Sequence, residues 1–468
     1  MDQYTQGWMA RQARRVRQCR RQVVQEQDLC FTKLLPQEQV EAALERHQVR
    51  YRECLYTPLV TIWTFLYQVL SSDQSCRAAV ARLLAFLCVG KEPAGSAKTD
   101  PYCKARERLP EKLLADLARH SGAELQQEVP APNLLGGRPI KIVDGTTLSM
   151  PDTPANQKAY PQQRGQKPGL GFPLLRLVGL MSLSCGAILD SATGPYRGKR
   201  TGETALLRQV LDSLRTGDIL LADALFSHYW TIALLLDRGV DYLGRLEGRR
   251  RVDFRRGQRL GRYDHVVSWS KPHRPAWMSR KVYDRLPDTL RLREAQVQVT
   301  QKGFRCRHLC LVTTLLDAEV YSRPELATAF RCRWHAELDL RSIKAVMQMD
   351  VLRCKSPAMV RKEIWMHLLA YNLLRKLMAQ AAAEAGVSPR DLSFKGTLQT
   401  LGAFAAAGWA CPERKSELYA AILRAVATHR VHNRPDRIEP RAVKRRPKKQ
   451  VYLNEPRPVA KARLLNAT

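Results

Sequence analysis

Arg333, Glu337 and Lys344 follow Phe330 at intervals of three, four and seven residues. On a continuous α-helix, at about 100° per residue, all four project from one face. A carboxylate flanked by two cations on one stripe is either a surface ion-pair ladder or a phosphate-binding face with an acid in it. Two further acids close short apolar runs: Ile140-Lys141-Ile142-Val143-Asp144 and Ile219-Leu220-Leu221-Ala222-Asp223. An aspartate in that place is commonly a turn former or a helix cap. It is also where α/β folds face their ligand crevice. Two Asp and one Glu brought together would bind hard divalent cations through oxygen. Two such ions about 3.5–4 Å apart can activate a nucleophile and stabilise a leaving oxygen at a phosphodiester. Arg333 would grip phosphate bidentately and Lys344 as a point charge.

The chain around these residues has 468 residues, is 45% hydrophobic and carries 77 Lys plus Arg against 44 Asp plus Glu, a formal charge of +33. It has enough apolar content for sizeable cores and enough length for several structural units. So basic a chain calls for a polyanion, and nucleic acid is the natural one, with ribosomal particles and anionic membranes as alternatives. No apolar run approaches the roughly 18–20 residues that span a bilayer. Arg11 to Arg21 are not followed by an apolar segment, so no secretory signal is expected. A cytoplasmic location with reduced thiols is the expectation. Twelve cysteines contain no CxxC pair. Cys306, His308 and Cys310 resemble a ligand cluster but lie in an apolar run that reads as a strand, so no zinc site is expected.

The elements that must position the acids follow from composition. Residues 1 to about 133 read as helical and arginine-rich, suited to DNA docking. From Gly136 the pattern turns to strands: the Asp144 strand, a pair over Phe172–Ser184 and Ala187–Ser191 turned at Cys185-Gly186, a helix from Glu203 to Leu214, and the Asp223 strand. That order, with acids closing the first and last strands, indicates an α/β core. Asp223 and Glu337 are separated by 113 residues, many alternating like strands, as Leu290–Arg293 and Val297–Thr300 do. Helices resume at Ser322. Trp334 and Leu338, on a stripe adjoining Glu337, are expected to anchor the helix to a core. Residues 429–468 hold 12 Lys plus Arg against three acids and read as a largely extended basic tail. Among competing acids, Asp190 could face the cluster from outside. Asp152 lies close after Asp144, and Glu203 is expected to cap its own helix through the dipole.

Phe330-x-x-Arg333-x-x-x-Glu337-x-x-x-x-x-x-Lys344 resembles the Tyr-Arg-Glu-Lys (YREK) signature of bacterial insertion-sequence transposases of the DDE type, the insertion sequence 4-type group. Phe330 stands where the signature has tyrosine, which keeps the ring and loses a hydroxyl. Lys141-Ile-Val-Asp144-Gly-Thr-Thr, Thr201-Gly-Glu203, Gly217-Asp-Ile-Leu-Leu-Ala-Asp223, Lys355-Ser-Pro357, Ala370–Arg375 and the basic stretch Asn433–Lys448 are similar to stretches of the same group.

The resemblance implies a ribonuclease H-like catalytic core, a mixed sheet flanked by helices and interrupted by a β-rich insertion. An α-helical N-terminal domain and a basic C-terminal tail would complete the chain. The expected divisions are 1–133, 134–239, 240–321, 322–400 and 401–468. Asp144, Asp223 and Glu337 would be both catalytic residues and ligands of two Mg²⁺ ions, with Mn²⁺ able to substitute. Phe330, Arg333, Trp334 and Lys344 would contact DNA. Family members cut at terminal inverted repeats and join the 3′-hydroxyl to target DNA, and a synaptic homodimer is implied. An aromatic stacks on a displaced base in such proteins; Trp334, Trp269 and Trp277 are candidates here. A non-catalytic, domesticated DNA-binding relative, or a related nuclease without strand transfer, is the alternative.

Overall fold

The computed structural model describes residues 31–52, 54–89, 96–299, 308–410, 412–431 and 452–466. The N-terminal arginines 11–21, Cys306 and the basic stretch 433–448 lie outside them. Two compact units are present. One gathers residues 1–130, 185–189 and 339–431; the other gathers 131–184, 190–338 and 432–468.

The first unit is helical. Thr57 caps the helix Pro58–Leu70 by accepting from the Val60 amide, and proline at the first position suits a helix start. This helix is buried on nearly every side, so its apolar residues are spread all round rather than on one stripe. The long helix Pro357–Glu384 is likewise buried along most of its length. Asn372 on it donates to the carbonyls of Ala118 and Ile188 and accepts from the Ile188 amide. Arg375, one turn on, donates to the Tyr371 hydroxyl and to Asp339, which Arg390 also reaches. The Ala370–Arg375 stretch is therefore a set of buried polar ties.

The second unit is built on a mixed sheet of nine strands: β1 (Ile140–Ser149), β2 (Leu174–Ser182), β3 (Ile188–Pro195), β4 (Ile219–Ala222), β5 (Asp241–Arg245), β6 (Gln258–Gly261), β7 (Asp264–Ser270), β8 (Thr289–Gln298) and β9 (His308–Thr313). Their order is β3-β2-β1-β4-β5-β9-β8-β7-β6. β1 runs antiparallel to β2 and parallel to β4, and β4 is parallel to β5. The central strand β4 is wholly buried, and its unbroken Ile-Leu-Leu-Ala run is what a strand covered on both faces requires. The turn before β3 uses Gly186 at φ +79°, a conformation glycine adopts without a Cβ penalty. The stretch expected to be a β-rich insertion extends this sheet through antiparallel pairs β5-β9, β9-β8, β8-β7 and β7-β6. Inside it Arg293 grips Asp264 bidentately at 2.6 and 2.8 Å, both buried.

Three expectations are corrected. Trp334 and Leu338 do not anchor their helix: they are 53% and 40% exposed. The buried stripe is Ala336, Leu340 and Ile343 with Asp339, which is 0% exposed. An aspartate in an apolar stripe disguises it, because the guanidinium partners that make its burial tolerable come from distant sequence. The Phe330–Lys344 segment is not one α-helix. It runs as Arg323–Arg331, a tight turn at Cys332-Arg333, Trp334–Arg341 and a π-helical turn Ser342–Val346. Finally, within the C-terminal segment Arg457–Asn466 is helical rather than extended. Its alanines and leucines are strong helix formers, and Pro458 sits in the first turn.

Candidate active site

Asp144 and Asp223 come from neighbouring parallel strands. The pairs Ile140↔Ile219, Lys141↔Leu220 and Ile142↔Leu221 fix the register, and two residues beyond the last of them lie Asp144 and Asp223. Equal offsets place both on the same face, with neighbouring strands roughly 4.8 Å apart. Asp144 accepts from its neighbouring Gly145 amide at 2.8 Å. Asp223 ends the strand by capping the turn Ala224–Phe226, where its Oδ1 accepts from the Leu225 amide at 2.9 Å. The turn-former role common for such aspartates is thus present, and it leaves the second carboxylate oxygen of Asp223 free of that bond.

Glu337 reaches the same place from its helix. Arg333 donates to Glu337 Oε1 at 3.0 Å and lies 4.0 Å from Asp144 Oδ2. The four-residue spacing survives the turn at Cys332-Arg333 because the Arg333 and Ala336 amides bond three residues back, a 3₁₀ tightening that keeps the chain helical. Burial pushes Asp144 up from the usual carboxylate range to about 6. The Gly145 amide and Arg333 oppose the rise, while the charges of Asp223 and Glu337 add to it. Three acids are thus near enough to repel, with one guanidinium between two of them.

Among the described residues, no group of three His, Cys, Asp or Glu side chains is already drawn close enough to hold an ion. The donor set nonetheless fits a hard divalent cation: it is all carboxylate oxygen, without sulfur or imidazole. Its mutual repulsion is what a cation would relieve.

Other residues fall as follows. Phe330 lies in the last turn of the helix Arg323–Arg331, half-buried. Lys344 lies on the π-helical turn of the helical unit. The wider turn there ends the 100° spacing on which its shared face with Glu337 rested. Trp269 is buried, donates to Glu294 and has Arg250 stacked 3.6 Å over its ring. Trp277 carries Arg208 at 3.8 Å. Asp190 is buried and tied to the Ser191 amide and the Ser213 hydroxyl. Asp152 is exposed and bonded to Gln157. Burial pushes the Cys310 thiol up to about 12, which disfavours the thiolate that zinc would need.

Glu203, expected only to cap its own helix, makes no side-chain cap bond there. It opens the helix Glu203–Val210, and its carboxyl carbon would lie 2.5 Å from a Cβ placed on Gly145. The glycine directly after Asp144 was the available signal.

A mixed sheet that brings carboxylates and an arginine together on so basic a chain is suited to processing nucleic acid. Residues 135–373 match the family model for the Transposase DDE domain, just over half the chain, and the chain belongs to that family. It is 29% identical over 363 residues, 74% of this chain and 76% of the relative, to Transposase InsG for insertion sequence element IS4 of Escherichia coli (strain K12). Putative transposase InsL for insertion sequence element IS186A, from the same organism, is 36% identical over 67 residues, 14% of this chain and 18% of the relative. A solved structure, the cryo-EM structure of the piggyBac transposase synaptic complex with hairpin DNA, matches 88% of this chain and 85% of its own at 10% identity and TM-score 0.41. No helix among the described residues is long and apolar enough to cross a membrane.

Proposed function

We propose that this chain is the DNA-cleaving transposase of an insertion sequence, acting at terminal inverted repeats and joining the freed 3′-hydroxyl to target DNA. The observation that carries the site assignment is the register-matched pair Asp144 and Asp223, with Arg333 linking Asp144 to Glu337. The sheet order β3-β2-β1-β4-β5, with β2 antiparallel to β1, β1 parallel to β4 and β4 parallel to β5, supports a ribonuclease H-like core. The family generally uses divalent metal ions. Asp144, Asp223 and Glu337 would hold two Mg²⁺ ions, with Mn²⁺ a substitute, and bound ions would supply nucleophile activation and leaving-group stabilisation at phosphorus. Arg333 would turn from the acids to a phosphate, and Lys344 would add a charge. Trp334, exposed beside Glu337, is the best placed of the three tryptophans to stack on a base, with Phe330 nearby in sequence.

Double-stranded DNA is the partner we assign, bound by a homodimer that pairs two element ends. Within the helical unit, Arg50, Tyr51, Arg52, Tyr56 and Arg108 line a cleft of about 710 Å³, whose cations and rings suit a phosphate backbone. The test uses labelled inverted-repeat ends with Mg²⁺. Asp144→Asn, Asp223→Asn and Glu337→Gln are each expected to abolish cleavage while leaving the affinity for the ends within a few fold. Near-normal cutting by any of them refutes the triad. Cleavage without joining of a 3′-hydroxyl end would make the protein a nuclease instead.

A further inference from the structure

We propose that Glu203 is a fourth carboxylate of this site and supplies an oxygen to the divalent cation that Asp223 holds. The inference rests on the active-site reading above and adds a residue to it.

Four observations carry it. First, Glu203 is seated against the strand of Asp144. A Cβ on Gly145 would lie 2.5 Å from Glu203 Cδ and 2.8 Å from its Oε1. Gly145 does not have a positive φ, so backbone conformation does not demand glycine there; room for this carboxylate does. Second, Glu203 lies within electrostatic reach of Asp223. Burial raises its proton affinity and Asp223 adds to the rise, while Arg176 opposes both.

Third, the expected helix-cap role is not what the side chain does. The first-turn amides of Ala205 and Leu206 bond the Gly202 carbonyl, and among the described residues Glu203 accepts no hydrogen bond. Its side chain is 26% exposed, so its oxygens are open to a ligand and not consumed by the helix end. Fourth, the cation beside it among the described residues is fixed elsewhere. Arg176 Nη1 donates to the Thr201 carbonyl at 2.9 Å, and the guanidinium lies 4.7 Å over the Tyr196 ring. Its Nε stays 3.7 Å from Glu203 Oε1, beyond hydrogen-bond distance, and is buried without a partner among the described residues. Arg176 therefore opposes the rise in the proton affinity of Glu203 without hydrogen-bonding its carboxylate. Carboxylates from β1, the helix after β3 and β4 would then surround one ion, while Glu337 serves the other.

The experiment measures Mn²⁺ binding by the full chain on pre-cut inverted-repeat DNA, using the electron paramagnetic resonance signal of free Mn²⁺. Wild type, Glu203→Gln, Glu203→Asp and Asp223→Asn are compared, with metal-free melting as the check on folding. Glu203→Gln is expected to weaken one Mn²⁺ by at least about tenfold, the scale seen when a group supporting a metal site is lost. Glu203→Asp is expected to recover part of that loss. If Glu203→Gln melts early, Glu203→Asp decides, since it keeps the charge beside Arg176 and withdraws the oxygens by one methylene. Wild-type Mn²⁺ binding in the deciding Glu203 variant alongside a loss in Asp223→Asn overturns this proposal and leaves the active site intact. Unchanged binding in all three variants overturns the active-site reading, and this proposal with it.

Discussion

Arg333 holds the acids in a tolerable state: it is the cation between Asp144 and Glu337. Its side chain is only 20% exposed, so its charge is poorly screened by water. Removing it leaves Asp144 buried among like charges and, on the function proposed above, a substrate phosphate without its fork. Arg333→Ala is expected to slow end cleavage by about 10²–10³, as loss of one preorganised electrostatic group does. It should also reduce the slope of log affinity against log salt for element ends by about 1. Arg333→Lys should restore that slope more than the rate, because lysine keeps the charge and loses the planar fork. Rates and salt titrations on one set of ends check this; full activity in Arg333→Ala refutes it.

Elements set where these residues can go. The helix Tyr229–Leu236, shortly after Asp223, is capped by His228, whose side chain accepts from the Thr231 amide. Burial, helped by Arg208, pushes His228 down to about 4. A histidine depressed on folding contributes stability above its unfolded value near 6.5 and loses it as pH falls through about 4. The wild type should therefore lose up to about 3 kcal/mol more than His228→Asn between pH 7 and pH 4, since asparagine caps without titrating. Urea midpoints across that range measure it, and parallel pH curves refute it. Asp339 gives a second case. It is fully buried and receives Arg375 and Arg390. Asp339→Ala strands two guanidinium groups and is expected to cost about 3–5 kcal/mol of stability, read from denaturant midpoints. A loss below 1 kcal/mol would mean that water replaces the carboxylate.

At the scale of the whole molecule the dominant quantity is the charge of +33. Binding to arbitrary duplex DNA should be driven by counterion release, falling about 10³–10⁵-fold between 50 and 200 mM salt if 6–10 phosphates are contacted. Fluorescence anisotropy on an unrelated duplex tests this, and a salt-independent affinity would contradict it. Chain order and packing diverge at this scale. The helical unit collects its residues from 1–130 and 339–431, with 185–189 between them in sequence. Such grouping rests on contacts made after the chain has turned back on itself.

By itself the sequence determined what short-range chemistry controls. The apolar run ending in Asp223 specified a strand end; the one ending in Asp144 specified a strand but not its end, since β1 continues to Ser149 through its pairing with β2. The spacing of Arg333 and Glu337 specified an ion pair one turn apart, and the excess of Lys and Arg specified a polyanionic partner. Tertiary structure decided what depends on distant neighbours. Trp334 faces outward because Asp339, paired with Arg375 and Arg390, takes part of the buried stripe instead. Glu203 lies against Gly145 because its helix folds back over the sheet that carries Asp144. In each case one residue's environment is supplied by another far along the chain. Local periodicity carries no record of that partner, whereas packing and the desolvation of charge are set by it.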